Sequence, residues 1–551
     1  MSADATPLEA DDASVSPRRF GIWALLSLLI ALAAVFVLPG VLGYGVIDDA
    51  YISLRYADNF VQGNGLVFNP GEYVEGYTNF LWTLVLGLGI RLGAAGPGFA
   101  VWAGLFAAAL TLVATLGLHA RLARGEGTTG RGLESGWRLA ATPLILALSP
   151  TFLAYGASGL ESAAFAFLLI LHAYLILGKQ NGIGSNTALG AAGIVLALAN
   201  MTRPEATAFF VFDVTALVLL WLIQRRKRGS FAVDPRGITL LVTGFALPFG
   251  AFLLWRHGTY GYWLPNTYYA KVGGPSSALL GSGGAYMFAV GLRTLALIAV
   301  PLGLVAAKMR GDARLLYLSC LLLVQLIVIA LVGGDHMALW RFGVTLLPLS
   351  VILLREGFET LTQEKLASPI GALLLLLVGW GAGLWTANSV RLHERNEHSR
   401  AQLEVTLAEE WASFGQWLAR YAESGDSISL LPIGAIGFYS GLHVIDQLGL
   451  IDEHIAHLDV ETGTGYVGHE KFDNDYVLGL QPRFLMANHQ VTFGQEITQT
   501  QYDGAAYFEV HRDLVGRPQL RRDYVFRCIR AGDGLHYAFY ERRDLTRGEG
   551  H

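Results

Sequence analysis

Charge is scarce in this chain. Only 15% of its 551 residues are charged, 53% are hydrophobic, and the net charge is -5. Soluble domains carry roughly a quarter charged residues, so a fully solvated globule is excluded. No basic stripe is present, which argues against nucleic acid as a partner. Cysteine is almost absent: Cys320 falls in an apolar run and Cys528 near the C-terminal end. A disulfide between them is not expected, and there is no cysteine cluster to hold a metal. No repeat of fixed period appears, which weighs against a lipid or glycolipid transporter built from paired halves.

Apolar length is what the chain has instead. Mean hydropathy is +0.43, and apolar runs recur near 20–42, 98–120, 138–156, 160–178, 187–201, 206–223, 237–256, 287–307, 315–333, 341–354 and 369–386. About 20 residues cross the ~30 Å hydrocarbon core as a helix, so about eleven spans are expected, some of them tilted or kinked. The first follows Arg18-Arg19 with no small-residue cleavage site and reads as an uncleaved anchor. One face collects Arg18, Arg19, Arg121, Arg124, Arg131, Arg138, Lys179, Arg225, Arg226, Lys227, Arg228, Arg236, Lys308, Arg310, Arg314, Arg355 and Lys365. The other face holds only Arg55, Arg91, Arg203, Arg256, Lys271, Arg293 and Arg341. That bias places residues 1–19 in the cytoplasm and the tail outside it.

The run 79–92 (NFLWTLVLGLGIRL) is apolar but short, and counting it as a span would invert every later loop. It is expected to lie flat on the outer surface. Three regions follow: a cytoplasmic segment 1–19, a transmembrane domain 20–386 with a first outer loop at 43–97, and an extracytoplasmic domain 387–551. Short β-like segments at 427–431, 444–446, 524–529 and 535–540, with a helix over 401–422, make that last domain α/β.

The first outer loop opens on Asp48 and Asp49, directly after the first span. Carboxylates are costly near lipid, so a pair at a helix exit points to a site or a water-filled cavity. The segment from Asp49 reads as a short helix that carries Tyr51, Arg55 and Tyr56 on turns following the pair. Asn64-Gly65 and Asn69-Pro70-Gly71 are turn signals, after which Glu72 and Glu75 return toward the membrane. Further polar groups recur at the outer ends of spans: Glu161, Arg203, Glu205, Asn266, Tyr268, Lys271, Asp335, His336 and Arg341. Arg203 with Glu205, and Asp335 with Arg341, would equally serve as buried pairs without chemistry. In the tail, His443, His454, His457 and His469 are too irregularly spaced for a zinc site. Trp411, Trp417, Tyr466 and Tyr476 suit sugar stacking or a core.

The segment DDAYISLRYADNFVQGNGLVFNPGEYVEGYTNFLW resembles the first outer loop of GT-C class glycosyltransferases that use polyprenyl-phosphate sugars. The similarity is greatest to the family of the mycobacterial terminal β-(1→2)-arabinofuranosyltransferase. Gly159-Leu160-Glu161-Ser162, Thr202-Arg203-Pro204-Glu205, 264–271, Gly333-Gly334-Asp335-His336-Met337, 446–456 and Gly468-His469-Glu470-Lys471 resemble it too. The resemblance implies a multi-pass enzyme of the cell membrane that inverts the anomeric carbon. It would move a sugar, with arabinofuranose the one suggested, from a polyprenyl-phosphate carrier to an extracytoplasmic glycan. A non-catalytic glycan scaffold is the remaining rival, and the intact Asp pair argues against it.

The acceptor hydroxyl in such a transfer needs a carboxylate to take its proton, and the departing phosphate needs cations. Asp48 or Asp49 fits the first role, and the resemblance favours Asp48. Arg55, Arg203, Lys271 and Arg341 fit the second, with Tyr51, Glu75, Glu161, Glu205, Asn266, Tyr268, Asp335 and His336 in support. Asp48, Asp49, Glu72, Glu75, Asp335 and His336 would suit a hard cation if they met. No obligatory metal or other cofactor is expected. The tail domain is expected to bind the acceptor glycan or to cap the site.

Overall fold

The computed structural model describes residues 17–123, 135–178, 182–227, 233–271, 277–362, 396–460 and 468–546. The expected span at 369–386 and the boundary after it lie outside these residues. Helices α1 (Pro17–Leu42), α4 (Gly96–Ala123), α9 (Ala206–Lys227), α10 (Pro235–Tyr260) and α14 (Ala313–Leu331) each contain an apolar stretch long enough to cross a membrane. Two bent pairs are apolar and long enough only when each pair is taken together. Helix α5 (Ser135–Ala147) meets α6 (Pro150–Ala157) at 61°, and α12 (Ser277–Arg293) meets α13 (Ala296–Arg310) at 68°. The expected runs 138–156 and 287–307 are therefore not single straight helices. Pro150 starts the second helix of the first pair, where its missing N–H costs nothing. In the second, Leu295 takes φ 58° and turns the chain.

Helices α7 (Ser162–Ile176) and α8 (Asn186–Thr202) are shorter, and α15 spans Gly343–Thr362. Packing is close where side chains are small. A Cβ on Gly193 of α8 would lie 2.2 Å from the Leu241 carbonyl oxygen of α10, and one on Gly244 of α10 would lie 2.5 Å from the Gly190 carbonyl oxygen, the use small residues have between membrane helices. Two buried polar groups pin the bundle: His172 Nε2 lies 2.6 Å from Asp213, which also accepts from Tyr317, and Glu356 joins His119 to Arg310.

The first outer loop carries α2 (Asp48–Val61) and α3 (Phe80–Arg91). At 12 residues α3 is about 18 Å long, well short of the hydrocarbon core. The tail begins with α16 (Glu397–Tyr421) and builds a six-stranded sheet with α17 (Ile433–Ser440) beside it. Strands β1 (Ser427–Leu430), β2 (His443–Asp446) and β3 (Phe484–Leu485) are parallel. Strand β6 (His536–Arg542) runs antiparallel to β3, to β4 (Thr492–Phe493) and to β5 (Tyr524–Arg530). Ile52, Tyr56, Phe68 and Tyr77 of the first loop share one hydrophobic core with Phe414, Ile428, Val444 and Phe539 of the tail. Loop and tail therefore form one packed unit on one side of the bundle.

Candidate active site

Asp48 and Asp49 occupy the first turn of α2, where the helix dipole favours negative charge. Their side chains diverge. The Asp48 carboxylate accepts the backbone N–H groups of Gly434 at 3.1 Å and Ala435 at 2.7 Å, in the first turn of α17. Burial pushes its pKa up to about 7, against the pull of those two N–H groups. The Asp49 charge adds to the rise at Asp48 and also acts on His336, Arg341 and Glu404.

Those three lie in a cluster centred on Asp335. Arg341 Nε is 2.7 Å from the Asp335 carboxylate. Burial opposes ionisation of Asp335, yet Arg341, His336, Arg203 and Lys271 together hold its carboxyl below the usual range. Arg203, at the end of α8, donates to Glu161 at 2.9 Å and to Glu205 at 2.7 Å. Its guanidinium flanks the Phe342 ring at 5.0 Å, with Arg341 at 5.8 Å. Glu161 is held in turn by Asn79 at 2.9 Å. Lys271 ends α11 (Asn266–Lys271), is exposed, and has no ion-pair partner among the described residues. Gly468 of the tail passes beside its aliphatic stem. The span ends thus bring Asp49, Glu161, Arg203, Glu205, Lys271, Asp335, His336 and Arg341 together.

Five expected site residues lie elsewhere. Arg55 is buried, and donates to the carbonyls of Phe68, Gly437 and Leu442 and to Asn69, which leaves it no fork for a phosphate. Glu75 pairs with Arg256 at 2.8 Å and anchors the loop to α10, while burial lifts its pKa to about 7. Asn266 donates to the carbonyls of Gly449, Leu450 and Asp452, and so docks α11 on the tail motif 446–456. Tyr51 packs on Phe438 and Tyr439. Tyr268 is exposed at the end of the bundle, edge-on to Tyr269. Among the described residues, no three His, Cys, Asp or Glu side chains converge as a metal set; Glu72 faces His443 and Glu75 faces Arg256.

The tail supplies groups that the sequence reading missed. Glu397 accepts the Leu339 N–H at 2.7 Å, Glu404 accepts the Ala338 N–H at 3.0 Å, and Arg400 donates to the His336 carbonyl at 3.0 Å. The signal was there: 397, 400 and 404 share one face of a helix at spacings of three and four. Nothing in the sequence said what that face meets.

A cavity of about 440 Å³ opens between α3, α4, α7 and the end of α8. It is lined almost wholly by apolar groups, including Trp82, Phe99, Trp102, Phe106, Ala164 and Phe167, and Thr202 beside Arg203 closes one end. Trp102 and Phe106 are more than half exposed on the outside of the bundle, so the groove faces the lipid side.

Residues 395–534 match a domain of unknown function, DUF8728. The chain is 30% identical over 262 residues to a terminal β-(1→2)-arabinofuranosyltransferase of Mycobacterium tuberculosis, covering 45% of this chain and 38% of that protein. It is also 30% identical over 397 residues to the enzyme of that name from Corynebacterium glutamicum, covering 64% of this chain and 53% of the relative. The chain therefore spans between 38% and 53% of the length of these curated relatives. Among solved structures, ArnT from Cupriavidus metallidurans bound to undecaprenyl phosphate superposes with a TM-score of 0.57 at 11% identity. That match covers 96% of this chain and 99% of ArnT. The resemblance read from the first loop and the tail is thus to arabinofuranosyltransferases over part of their length, on a membrane fold shared with ArnT.

Proposed function

We propose that this protein is an inverting glycosyltransferase of the cell membrane, with its tail domain outside the cytoplasm. It moves a sugar from a polyprenyl-phosphate carrier to a cell-envelope glycan. The observation that carries this reading is the convergence of Arg203, Lys271 and Arg341 around Asp335 beside Asp49, next to an apolar groove. A lipid phosphate has the same two parts, an anionic head and an apolar tail. The two arabinofuranosyltransferases, each named for that activity, support a pentofuranose as the sugar.

The roles divide by what each group has free. Asp49 takes the proton from the acceptor hydroxyl as its oxygen attacks the anomeric carbon. The bond from that carbon to the phosphate oxygen breaks, and the lipid phosphate leaves with the added charge. Lys271 and the terminal nitrogens of Arg341 stabilise that charge. Arg203 is engaged by Glu161 and Glu205 and adds field at one remove. Asp48 is engaged by the tail, so the geometry moves the preference for the base from Asp48 to Asp49.

The test is to incubate purified protein with polyprenyl-phosphate pentoses and hexoses and a glycan acceptor, and to identify products by mass spectrometry. Asp49→Asn should lose at least ~10²-fold in turnover, the scale of a missing general base, with donor binding retained. If Asp48→Asn is the inactive variant and Asp49→Asn turns over normally, the two acids exchange roles. If no sugar phosphate is consumed, the reading fails.

A further inference from the structure

Glu397 and Glu404 lie seven residues apart on α16, and both turn inward onto the loop between α14 and α15. Glu397 is 1% exposed, and its second oxygen is 2.6 Å from Arg400. From the opposite side, the Thr151 hydroxyl donates to the Leu339 carbonyl at 2.8 Å and the Tyr155 hydroxyl donates to that of Ala338. The peptide groups of Ala338 and Leu339 are therefore bonded on both faces. Leu339 and Trp340 have φ 55° and 60°. Two successive non-glycine residues in the left-handed region persist only where the surroundings over-determine them, and such strain gathers at functional sites. The residue that follows is Arg341.

We propose that Glu397 and Glu404 are positioning residues of the donor site, contributed by the tail domain. By accepting the Leu339 and Ala338 N–H groups they hold the left-handed turn and so fix the direction in which Arg341 meets the donor phosphate. This rests on the reading of Arg341 as a phosphate group. Removal of either carboxylate leaves a buried N–H without an acceptor. The turn then relaxes toward the right-handed region and carries Arg341 away from Lys271.

The test is the affinity of the full-length protein in detergent for a polyprenyl monophosphate without sugar, read by native mass spectrometry. Arg341→Ala and Glu404→Ala should each weaken binding about tenfold, the scale of one lost charge-assisted hydrogen bond. The double variant should bind within about threefold of Arg341→Ala alone, because both act through one guanidinium. Glu397→Gln and Glu404→Gln keep an acceptor oxygen and should stay within about threefold of wild type; they also test the idea if the alanine variants do not fold. Additive losses, or glutamine variants that bind no better than inactive ones, overturn the positioning role. So does Arg341→Ala weakening the lipid phosphate while Glu404→Ala leaves it unchanged. If the wild type binds no polyprenyl phosphate, the donor reading falls, and this inference falls with it.

Discussion

Asp48 and Arg55, two turns apart on α2, hold opposite ends of the tail helix α17. Asp48 takes the N–H groups of Gly434 and Ala435, and Arg55 donates to the carbonyls of Gly437 and Leu442. Each charge sits at the end of the helix that its sign suits. The first outer loop is thus fastened to the tail by charges that would otherwise read as catalytic.

That fastening makes a sharp prediction at Gly434. A Cβ there would lie 2.0 Å from the Asp48 carbonyl oxygen, nearer than any real contact. Gly434→Ala should cost roughly 1–3 kcal/mol through overpacking and lower turnover by about tenfold as the tail shifts. Limited proteolysis should cut the variant between the membrane domain and the tail sooner than the wild type. An unchanged melting temperature with full turnover would show that the tail does not need this seat.

The pH dependence of stability should run opposite to the common carboxylate case. Burial raises Asp48, Glu75 and Glu404 to about 7, so between about 4.5 and 7 the folded chain holds more protons at these sites than the unfolded chain. Stability from these groups is therefore greatest at the acidic end and falls as pH rises through 7. Melting in detergent from pH 5 to pH 8 should show a decreasing midpoint, and Glu404→Gln should flatten the slope. A midpoint that climbs over this window would mean that these acids are ionised and well paired when folded.

Much of the architecture was legible because lipid demands long apolar runs: α1, α4, α9, α10 and α14 stand where the runs are. The bends were not. Pro150 starts the second helix of one pair, and the other turns at Thr294–Leu295, which has neither proline nor glycine. At the site, cations and acids at the outer ends of spans were visible; Arg341 pairs with Asp335, and Arg203 and Lys271 act on the same carboxyl. What spacing could not reveal was division of labour. Arg55 looked like Arg341 in sequence, and only the docked tail shows that its donors are taken. Glu404 was invisible for the same reason, since its partner lies 66 residues away.

Arg203 and Lys271 should separate stability from donor use. Arg203 is buried between Glu161 and Glu205, so Arg203→Ala leaves two buried carboxylates unpaired and should cost about 3–5 kcal/mol. Lys271 is exposed with no ion-pair partner among the described residues. Lys271→Ala should leave the melting temperature unchanged while weakening polyprenyl-phosphate binding by about tenfold, a loss of ~1.4 kcal/mol. Equal melting losses in the two variants would contradict this division.

The groove makes the last prediction. Ala164 lines the apolar cavity between α3, α4 and α7, one helical turn from Glu161. Ala164→Phe places a ring in a space of about 440 Å³ without touching a charged group. If the groove takes the first isoprene units of the donor, each buried CH₂ there contributes about 0.8 kcal/mol, and a ring that displaces two or three of them should raise the Michaelis constant for a long-chain donor by 10- to 100-fold. A water-soluble donor with a chain too short to enter the groove should be used equally well by both forms, since Lys271, Arg341 and Asp49 are undisturbed. Steady-state rates with the two donors, measured side by side, decide the matter. Equal losses on both would place the lipid elsewhere and make the groove a packing defect of the bundle.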